Sequence, residues 1–267
     1  SGLGQTHVYS NRAEYRESLG RLLKGSERIA MEYSPYAELP LTSRVDGGTL
    51  DLVRSFGVDI FSSADLITYV TARWNSAEVA SHRLAANKLT EIVQDAFSVV
   101  GERVEDGINE FQIAEYIRQR FAEKKITTLA GPVVAVNEHS SDPHYEPTAD
   151  FSAPINQGDW LLIDLWGREL DDRSIYADIT WTGYVGNDVP KKIVEVFKTV
   201  LNARDAAVSA LIQAHLESRL LRGEEVDQVA RNVIDESGFS ENFTHRLGHS
   251  IGLDVHGNGP NLDGFET

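Results

Sequence analysis

Apolar and polar residues alternate along the chain at spacings that predict helices and strands in turn. The clearest helical spacing covers residues 75–100, where Asn75 can accept a hydrogen bond from the first turn and Glu78 can reach back to it, as in a capping box. Asn109 and Gln112 repeat this arrangement before a second helix. Five further segments also show helical spacing, at residues 12–23, 48–56, 111–124, 190–216 and 224–237.

Shorter apolar segments between these helices predict strands. In the first 73 residues, strand-like residues 28–31 and 58–62 alternate with helices, which is the order of a small α/β unit. After this point the strand-like segments are residues 127–136, 160–166 and 175–184. We therefore predict an α/β (α+β) protein with a domain boundary near Arg73.

The composition narrows the chemistry that such a protein can carry out. The chain has 267 residues, enough for one large or two smaller domains, and no apolar run approaches the roughly 18 residues that span a membrane. It contains 0 Cys, so any metal must be held by His and carboxylate side chains. With 25 Lys and Arg against 41 Asp and Glu, the net charge of −16 argues against nucleic-acid or membrane partners.

Two aspartates interrupt the apolar strands of a predicted hairpin. If the turn is centred on Asp171, Asp164 and Asp178 lie opposite each other on one face of the sheet. Opposed carboxylates destabilise a sheet unless a proton or a cation lies between them, and a divalent ion would satisfy both. Oxygen ligands combined with a His suit Mn²⁺, Co²⁺, Fe²⁺ or Zn²⁺. In a different register, one aspartate would face solvent and the metal site would be lost.

A cluster of histidines lies near the end of the chain. Three of the 8 histidines fall within twelve residues, as His245, His249 and His256. Gly248 and Gly252 favour strand and loop over helix in this segment. A single His is more often structural than a ligand, but three of them beside glycines favour a binding site.

The same segment offers a rival interpretation. Gly248-His-Ser-Ile-Gly252 matches the G-x-S-x-G nucleophile elbow of serine hydrolases. In that fold a helix follows the elbow, whereas the residues that follow here include Gly257, Gly259 and Pro260, which oppose a helix. The pattern is therefore a weak indication of a serine nucleophile.

A fourth histidine of interest lies earlier in the chain. His144 occupies a proline-flanked loop that follows the strand-like residues 133–136. Loops beyond strand ends often carry catalytic groups. By itself His144 would be taken for an ordinary surface residue, so its interest depends on where the fold brings it.

Together these segments resemble the pita-bread metallopeptidases, which include methionine aminopeptidase, the Xaa-Pro aminopeptidases, prolidase and the related creatinase. Four features carry the resemblance: the helix after Asn75, the Pro143-His144 loop, Asp164 followed by Tyr-Ala-Asp178-Ile-Thr, and Gly-His249-Ser-Ile-Gly-Leu-Asp-Val-His256. His245 before the Gly-His pair, and the Gly-Leu-Asp-Val-His sequence after it, look like the Xaa-Pro branch.

The resemblance implies a fold and a domain organisation. Residues 74–267 would form a pita-bread catalytic domain that lacks its C-terminal strands, with an antiparallel sheet flanked by helices. Residues 1–73 would be the C-terminal part of a smaller, creatinase-type α/β N-terminal domain. We expect the natural protein to be longer and this chain to be truncated at both ends.

The resemblance further implies a site for two divalent metal ions, with manganese among the candidates beside cobalt, zinc and iron. Asp164 would bind one metal, Asp178 would bridge both, and His249 would bind the other. The family supplies two further ligands, both glutamates, from strands after the His segment, and we expect them beyond the end of this chain. Glu266 lacks the Pro-Gly context of those glutamates and lies too soon after His256, so we do not assign it.

The other histidines take catalytic and substrate-binding roles by the same resemblance. His144 would stabilise the tetrahedral intermediate, His256 would take part in catalysis, and His245 and His256 would line the substrate site. The implied function is a metal-dependent Xaa-Pro aminopeptidase or Xaa-Pro dipeptidase, in which a metal-bridged hydroxide attacks the bond before proline. Two alternatives are a non-catalytic binding module on the same fold and a creatinase-type amidinohydrolase that needs no metal.

Partners and location follow as expectations. We expect a proline-containing peptide as substrate, a homodimer, a cytoplasmic location, and no nucleic-acid or membrane partner. Because three of the five expected ligands lie in this chain, we expect the chain alone to bind metal poorly or not at all, and to be inactive without the missing glutamates.

Overall fold

A computed structural model describes residues 5–37, 43–142 and 144–264 of the chain. The chain divides into two compact units, the first ending at Val70 and the second beginning at Thr71. Pro143 and Glu266, which were considered above, lie outside the described residues. Across the described ranges, every helix is too short or too polar to cross a lipid bilayer.

The first unit is a small α/β arrangement with a two-stranded parallel sheet. Asn11 begins its first helix by accepting a hydrogen bond from Glu14 N, and Asp46 begins the next by accepting one from Thr49 N. The two strands pair in parallel along their whole length. The elements are α1 (Arg12–Leu23), β1 (Arg28–Met31), α2 (Gly47–Arg54), β2 (Asp59–Ser62) and α3 (Ala64–Thr71). The sequence pattern predicted all of these except α3.

The second unit contains the longer helices and a four-stranded antiparallel sheet. Both predicted capping boxes are confirmed, at Asn75 with Glu78 and at Asn109 with Gln112. The elements are α4 (Ser76–Arg103), α5 (Glu110–Lys124), β3 (Ile126–Thr127), β4 (Val133–Val136), β5 (Trp160–Glu169), β6 (Ala177–Tyr184), α6 (Lys191–Leu216) and α7 (Gly223–Glu236). The predicted antiparallel sheet with flanking helices is therefore confirmed.

Strand β5 organises the sheet, since it pairs antiparallel with β3, β4 and β6. Alternate β5 residues point to opposite faces. On one face Leu161, Ile163 and Leu165 are fully buried, in a core that also contains residues of α4 and α5. The other face of the same strand carries Asp164. The hydrophobic face thus fixes which way the aspartate points, because a shift by one residue would place a carboxylate in the core.

A smaller core joins α6, α7 and the segment after them. Ala203 and Ala207 of α6 are buried with Val226, Ala230 and Ile234 of α7. The partly buried residues that pack against this cluster include Phe243, Leu247 and Leu262. The backbone also approaches closely here, because a Cβ atom at Gly223 would lie 1.8 Å from Asn261 O. This core therefore holds the chain on both sides of the histidine segment, by which we mean residues 244–256.

Candidate metal-binding site

The register of the β5–β6 hairpin places the two aspartates on one face of the sheet. Asp164 pairs with Thr180, and Asp178 pairs with Trp166. The predicted direct pairing of Asp164 with Asp178 is therefore wrong by two positions. An even offset leaves both side chains on the same face, as diagonal neighbours rather than direct partners.

The turn explains this offset. Ser174 N donates to Asp171 O at 2.9 Å, and Arg173 N donates to Asp171 Oδ1 at 2.8 Å. Asp171 therefore begins the turn rather than standing at its centre, which moves the axis of the hairpin one residue along the chain. Spacing alone could not reveal this, because the register of a hairpin depends on the geometry of its turn.

Asp164 is a half-buried carboxylate with a specific partner. Thr180 Oγ1 donates to Asp164 Oδ1 at 2.8 Å. The pKa of Asp164 is raised to about 6, chiefly by burial and with a smaller contribution from the charge of Asp178, while the hydrogen bond from Thr180 and the charge of His249 act in the opposite direction. The electrostatic influence of both Asp178 and His249 on Asp164 shows that these three side chains share one environment.

His249 contacts Asp178 directly. Its Nε2 atom lies 3.4 Å from Asp178 Oδ2, and its Nδ1 atom lies 3.0 Å from Ser250 O. Because a carbonyl oxygen only accepts, Nδ1 carries a hydrogen and donates to Ser250 O. The pKa of His249 is raised, chiefly by its hydrogen bond to Asp178. The imidazole therefore directs Nε2 towards the carboxylate. Nε2 carries a proton when His249 is charged and a lone pair when it is neutral.

Hydrogen bonds from α4 and the histidine segment hold the start of β6. Tyr176 N donates to Gly252 O at 3.0 Å, which ties the histidine segment to the strand that carries Asp178. His82 Nδ1 lies 2.6 Å from Tyr176 O, and Ile175 N donates to Ser81 Oγ at 3.1 Å. Hydrogen bonds from side chains of α4 and from the backbone of Gly252 thus hold the main chain directly before the strand that carries Asp178.

The histidine segment is an irregular loop, as its glycines predicted. Gly248 forms an isolated antiparallel bridge with Leu262. Ser250 lies within the loop, where its carbonyl oxygen accepts from Gly257 N at 2.8 Å and its hydroxyl oxygen accepts from Gly259 N at 2.8 Å. The hydroxyl is therefore a structural acceptor, and the segment lacks the helix that a nucleophile elbow requires.

The two other histidines of this segment differ in whether they contact the Asp178–His249 pair. The His256 ring lies edge-on to the His249 ring, with centroids 4.5 Å apart. Burial lowers the pKa of His256, and the positive charge of His249 lowers it further. The exposed side chain of His245 contacts its own backbone region, with Nδ1 3.1 Å from Arg246 O. His256 thus joins the Asp178–His249 pair, whereas His245 is at the edge of the segment.

His144 is exposed in the loop after β4. Its backbone N–H donates to Asp142 Oδ1 at 2.9 Å. Within the described residues, no hydrogen bond, ion pair or ring contact connects its side chain to Asp164, Asp178 or His249. That His144 lies in one site with the other candidate residues stays a prediction.

Three residues near the candidates were given no role from the sequence. Thr180 and Tyr176 flank Asp178, and the correct hairpin register would have placed Thr180 opposite Asp164. Glu110 is fully buried although it is charged. It lies directly after the cap residue Asn109, where an acidic residue is ordinary, so its burial had no signal in the sequence.

The donor atoms fit a divalent ion in their chemistry. Two carboxylates and an imidazole Nε2 whose Nδ1–H is anchored to a carbonyl are typical ligands. Yet within the part of the chain that the structure describes, no group of three or more His, Asp or Glu side chains has the arrangement of a metal site. The role of Asp164, Asp178 and His249 as metal ligands therefore stays a prediction.

Comparisons with known proteins agree with the fold. The sequence model of metallopeptidase family M24 matches residues 84–267. A candidate Xaa-Pro aminopeptidase of Mycoplasma pneumoniae is 28% identical over 185 residues, which are 67% of this chain and 48% of that relative. The chain thus spans about half the length of this curated relative.

Solved structures with the pita-bread fold superimpose on most of the chain. Prolidase from Pyrococcus furiosus has a TM-score of 0.67 at 21% identity, covering 96% of this chain and 67% of that one. A dipeptidase from Pyrococcus horikoshii has a TM-score of 0.64 at 25% identity, covering 92% of this chain and 62% of that one. The predicted pita-bread fold is confirmed by these likenesses.

Proposed function

The chain belongs to metallopeptidase family M24, and from this membership we propose that the full-length protein is a metal-dependent peptidase that cleaves the bond before proline. Peptidases of this family use divalent metal ions. The observation that carries the proposal is the contact of His249 Nε2 with Asp178 Oδ2, on the sheet face that also holds Asp164. The names of the similar proteins, a candidate Xaa-Pro aminopeptidase and a prolidase, support the choice of substrate.

Asp164, Asp178 and His249 would hold the metal, together with carboxylates outside this set. When bound, divalent ions lower the pKa of water and polarise a carbonyl group. The chain's own residues prepare the ligands. Thr180 fixes one oxygen of Asp164, and Ser250 O fixes the tautomer of His249 so that Nε2 faces the site.

The remaining histidines would act on the substrate. His256, edge-on to His249, would contact the peptide close to the metal ligands. His144 would donate a hydrogen bond to the developing oxyanion, and His245 would line the substrate site from the edge of its segment. A homodimeric state and a cytoplasmic location stay predictions.

A peptidase assay on the full-length protein tests this function. The protein is stripped with a chelator, reloaded separately with Mn²⁺, Co²⁺, Zn²⁺ or Fe²⁺, and given Xaa-Pro peptides and matched Xaa-Ala peptides. We expect hydrolysis of Xaa-Pro peptides only after metal is restored, with much slower cleavage of Xaa-Ala peptides. Equal cleavage of both peptides would contradict the specificity, and no hydrolysis with any metal would contradict the peptidase itself.

A pair of variants in the same hairpin controls for folding. Asp164→Asn removes a proposed ligand charge while preserving shape, and should abolish most of the activity. Asp172→Asn changes a turn residue whose side chain is 99% exposed, and should leave the activity unchanged. Equal activity of the two variants would remove Asp164 from the proposed site.

A further inference from the structure

Glu110 is a fully buried carboxylate that the proposed metal chemistry does not use. It is the first residue of α5 and is 0% exposed. A buried charge of this kind is costly unless hydrogen bonds compensate for it. Its surroundings therefore have to supply donors, and the identity of those donors shows what the residue does.

Four donors surround the carboxylate. Val136 N donates at 2.8 Å, Ala153 N at 2.6 Å and Tyr145 OH at 2.5 Å, and His139 Nδ1 lies 3.0 Å from Oε1. An ionised carboxylate offers about four lone-pair sites, so this set matches its capacity. Glu110 is thus satisfied entirely by groups outside its own helix.

All four donors lie in the loop that carries His144 or in the strand residue directly before it. Val136 is the last residue of β4, Tyr145 directly follows His144, and Ala153 lies further along the same loop, before β5 begins at Trp160. One buried carboxylate therefore joins the end of β4 and two separate parts of this loop to the first turn of α5. The backbone adds to this anchor, because Glu110 N donates to Ala153 O at 3.1 Å.

The aromatic rings of two of the donors stack on each other beside the carboxylate. The His139 ring stacks on the Tyr145 ring with centroids 4.3 Å apart, and Phe151 approaches Tyr145 at 6.0 Å. Burial, and then the hydrogen bond to Glu110, raise the pKa of Tyr145 above its ordinary value, so the phenol remains a donor even in alkaline solution. The contacts to Glu110 are therefore shielded from water, which strengthens them.

Resting on the proposed function of His144, we infer that Glu110 and Tyr145 are positioning residues that set the place of the His144 backbone for the reaction. Two hydrogen bonds hold the chain at His144 and at the residue that follows it. Its own N–H is held by Asp142, and the next side chain along the chain is held by Glu110. The side chain of His144 is exposed, and among the described residues no hydrogen bond or ring contact holds its imidazole. Loss of the Tyr145 anchor should therefore release His144 before it unfolds the domain.

The first test reports on His144 without reference to activity. The full-length protein is labelled with ¹⁵N-histidine, and the His144 imidazole signal is assigned by its loss in His144→Gln. In Tyr145→Phe, which keeps the ring and removes one hydrogen bond, we expect the His144 signal to shift or broaden while the His256 signal stays in place. An unchanged His144 signal in both Tyr145→Phe and Glu110→Gln would overturn the inference, even if the protein proves not to be a peptidase.

The second test is a kinetic double-mutant cycle. Tyr145→Phe should lower kcat for Xaa-Pro peptides roughly tenfold with KM nearly unchanged, because the loss would fall on the transition state. In a His144→Ala background the same change should have almost no further effect, since the two residues act through one group. A full additional tenfold loss in that background would overturn the inference. Tyr116→Phe, on the same helix as Glu110, serves as the matched control and should leave kcat unchanged.

Discussion

His249 Nε2 lies 3.4 Å from Asp178 Oδ2, although one residue belongs to an irregular loop and the other to a strand of the sheet. The hydrogen on Nδ1 is committed to Ser250 O, so only a proton or another cation can lie between Nε2 and the carboxylate. Asp164, on the same face, adds a second negative charge. The arrangement therefore attracts positive charge, as a metal site must.

Thr180 should matter to the metal although it is not a ligand. Thr180→Val keeps the shape of the side chain and removes the hydrogen bond to Asp164. We expect metal affinity to fall about tenfold, because partners that orient a ligand typically contribute that much. Titration calorimetry with Mn²⁺ measures the change in the full-length protein.

Thr182→Val is the control for this change, since Thr182 lies two positions along β6 on the same face and pairs with Leu162. An equal loss of affinity in both variants would mean that the effect comes from the strand and not from the contact with Asp164.

Ser250 should be dispensable for the chemistry. Its hydroxyl oxygen accepts from Gly259 N, so Ser250→Ala should lower the free energy of unfolding by about 1 kcal/mol. Activity should remain within about tenfold of the unchanged protein, whereas loss of a serine nucleophile lowers kcat by about a millionfold. A loss on that larger scale, in a protein that still folds, would restore the serine hydrolase interpretation.

The sheet face opposite the aspartates should dominate stability. Ile163 is 0% exposed between the neighbouring strands and the helical core, so Ile163→Ala should lower the free energy of unfolding by about 2–5 kcal/mol. Denaturant unfolding of the 267-residue chain measures it. Leu129→Ala, at a position that is 93% exposed, should change the stability by less than about 0.5 kcal/mol. Comparable losses in the two variants would contradict the assigned core.

Local features of the fold could be predicted from the sequence because they depend on neighbouring residues. Helix α1 has the predicted bounds, and both capping boxes formed where an Asn precedes a Glu or Gln by three residues. Helix α3 was missed because it is rich in Ile, Thr, Tyr and Val, which favour strands, so its helix depends on tertiary packing.

Features of the site that depend on distant residues could not be predicted in the same way. The alternation along β5 places Asp164 on the polar face, but the register against β6 was fixed by the turn at Asp171. The burial of Glu110 depends on donors 26 to 43 residues further along the chain, which no local pattern reveals. The sequence therefore predicted which residue types would form the candidate site but not the contacts that each of them makes.

If Asp164, Asp178 and His249 hold metal in the full-length protein, as we propose, the metal content of the purified protein depends on them. The chelator-stripped protein is dialysed against Mn²⁺, and bound metal is counted by mass spectrometry for the unchanged protein, Asp178→Asn and the exposed turn variant Asp172→Asn. We predict nearly two ions per chain in the unchanged protein and in Asp172→Asn, and loss of most bound metal in Asp178→Asn. Equal metal content in all three proteins would show that Asp178 is not a metal ligand.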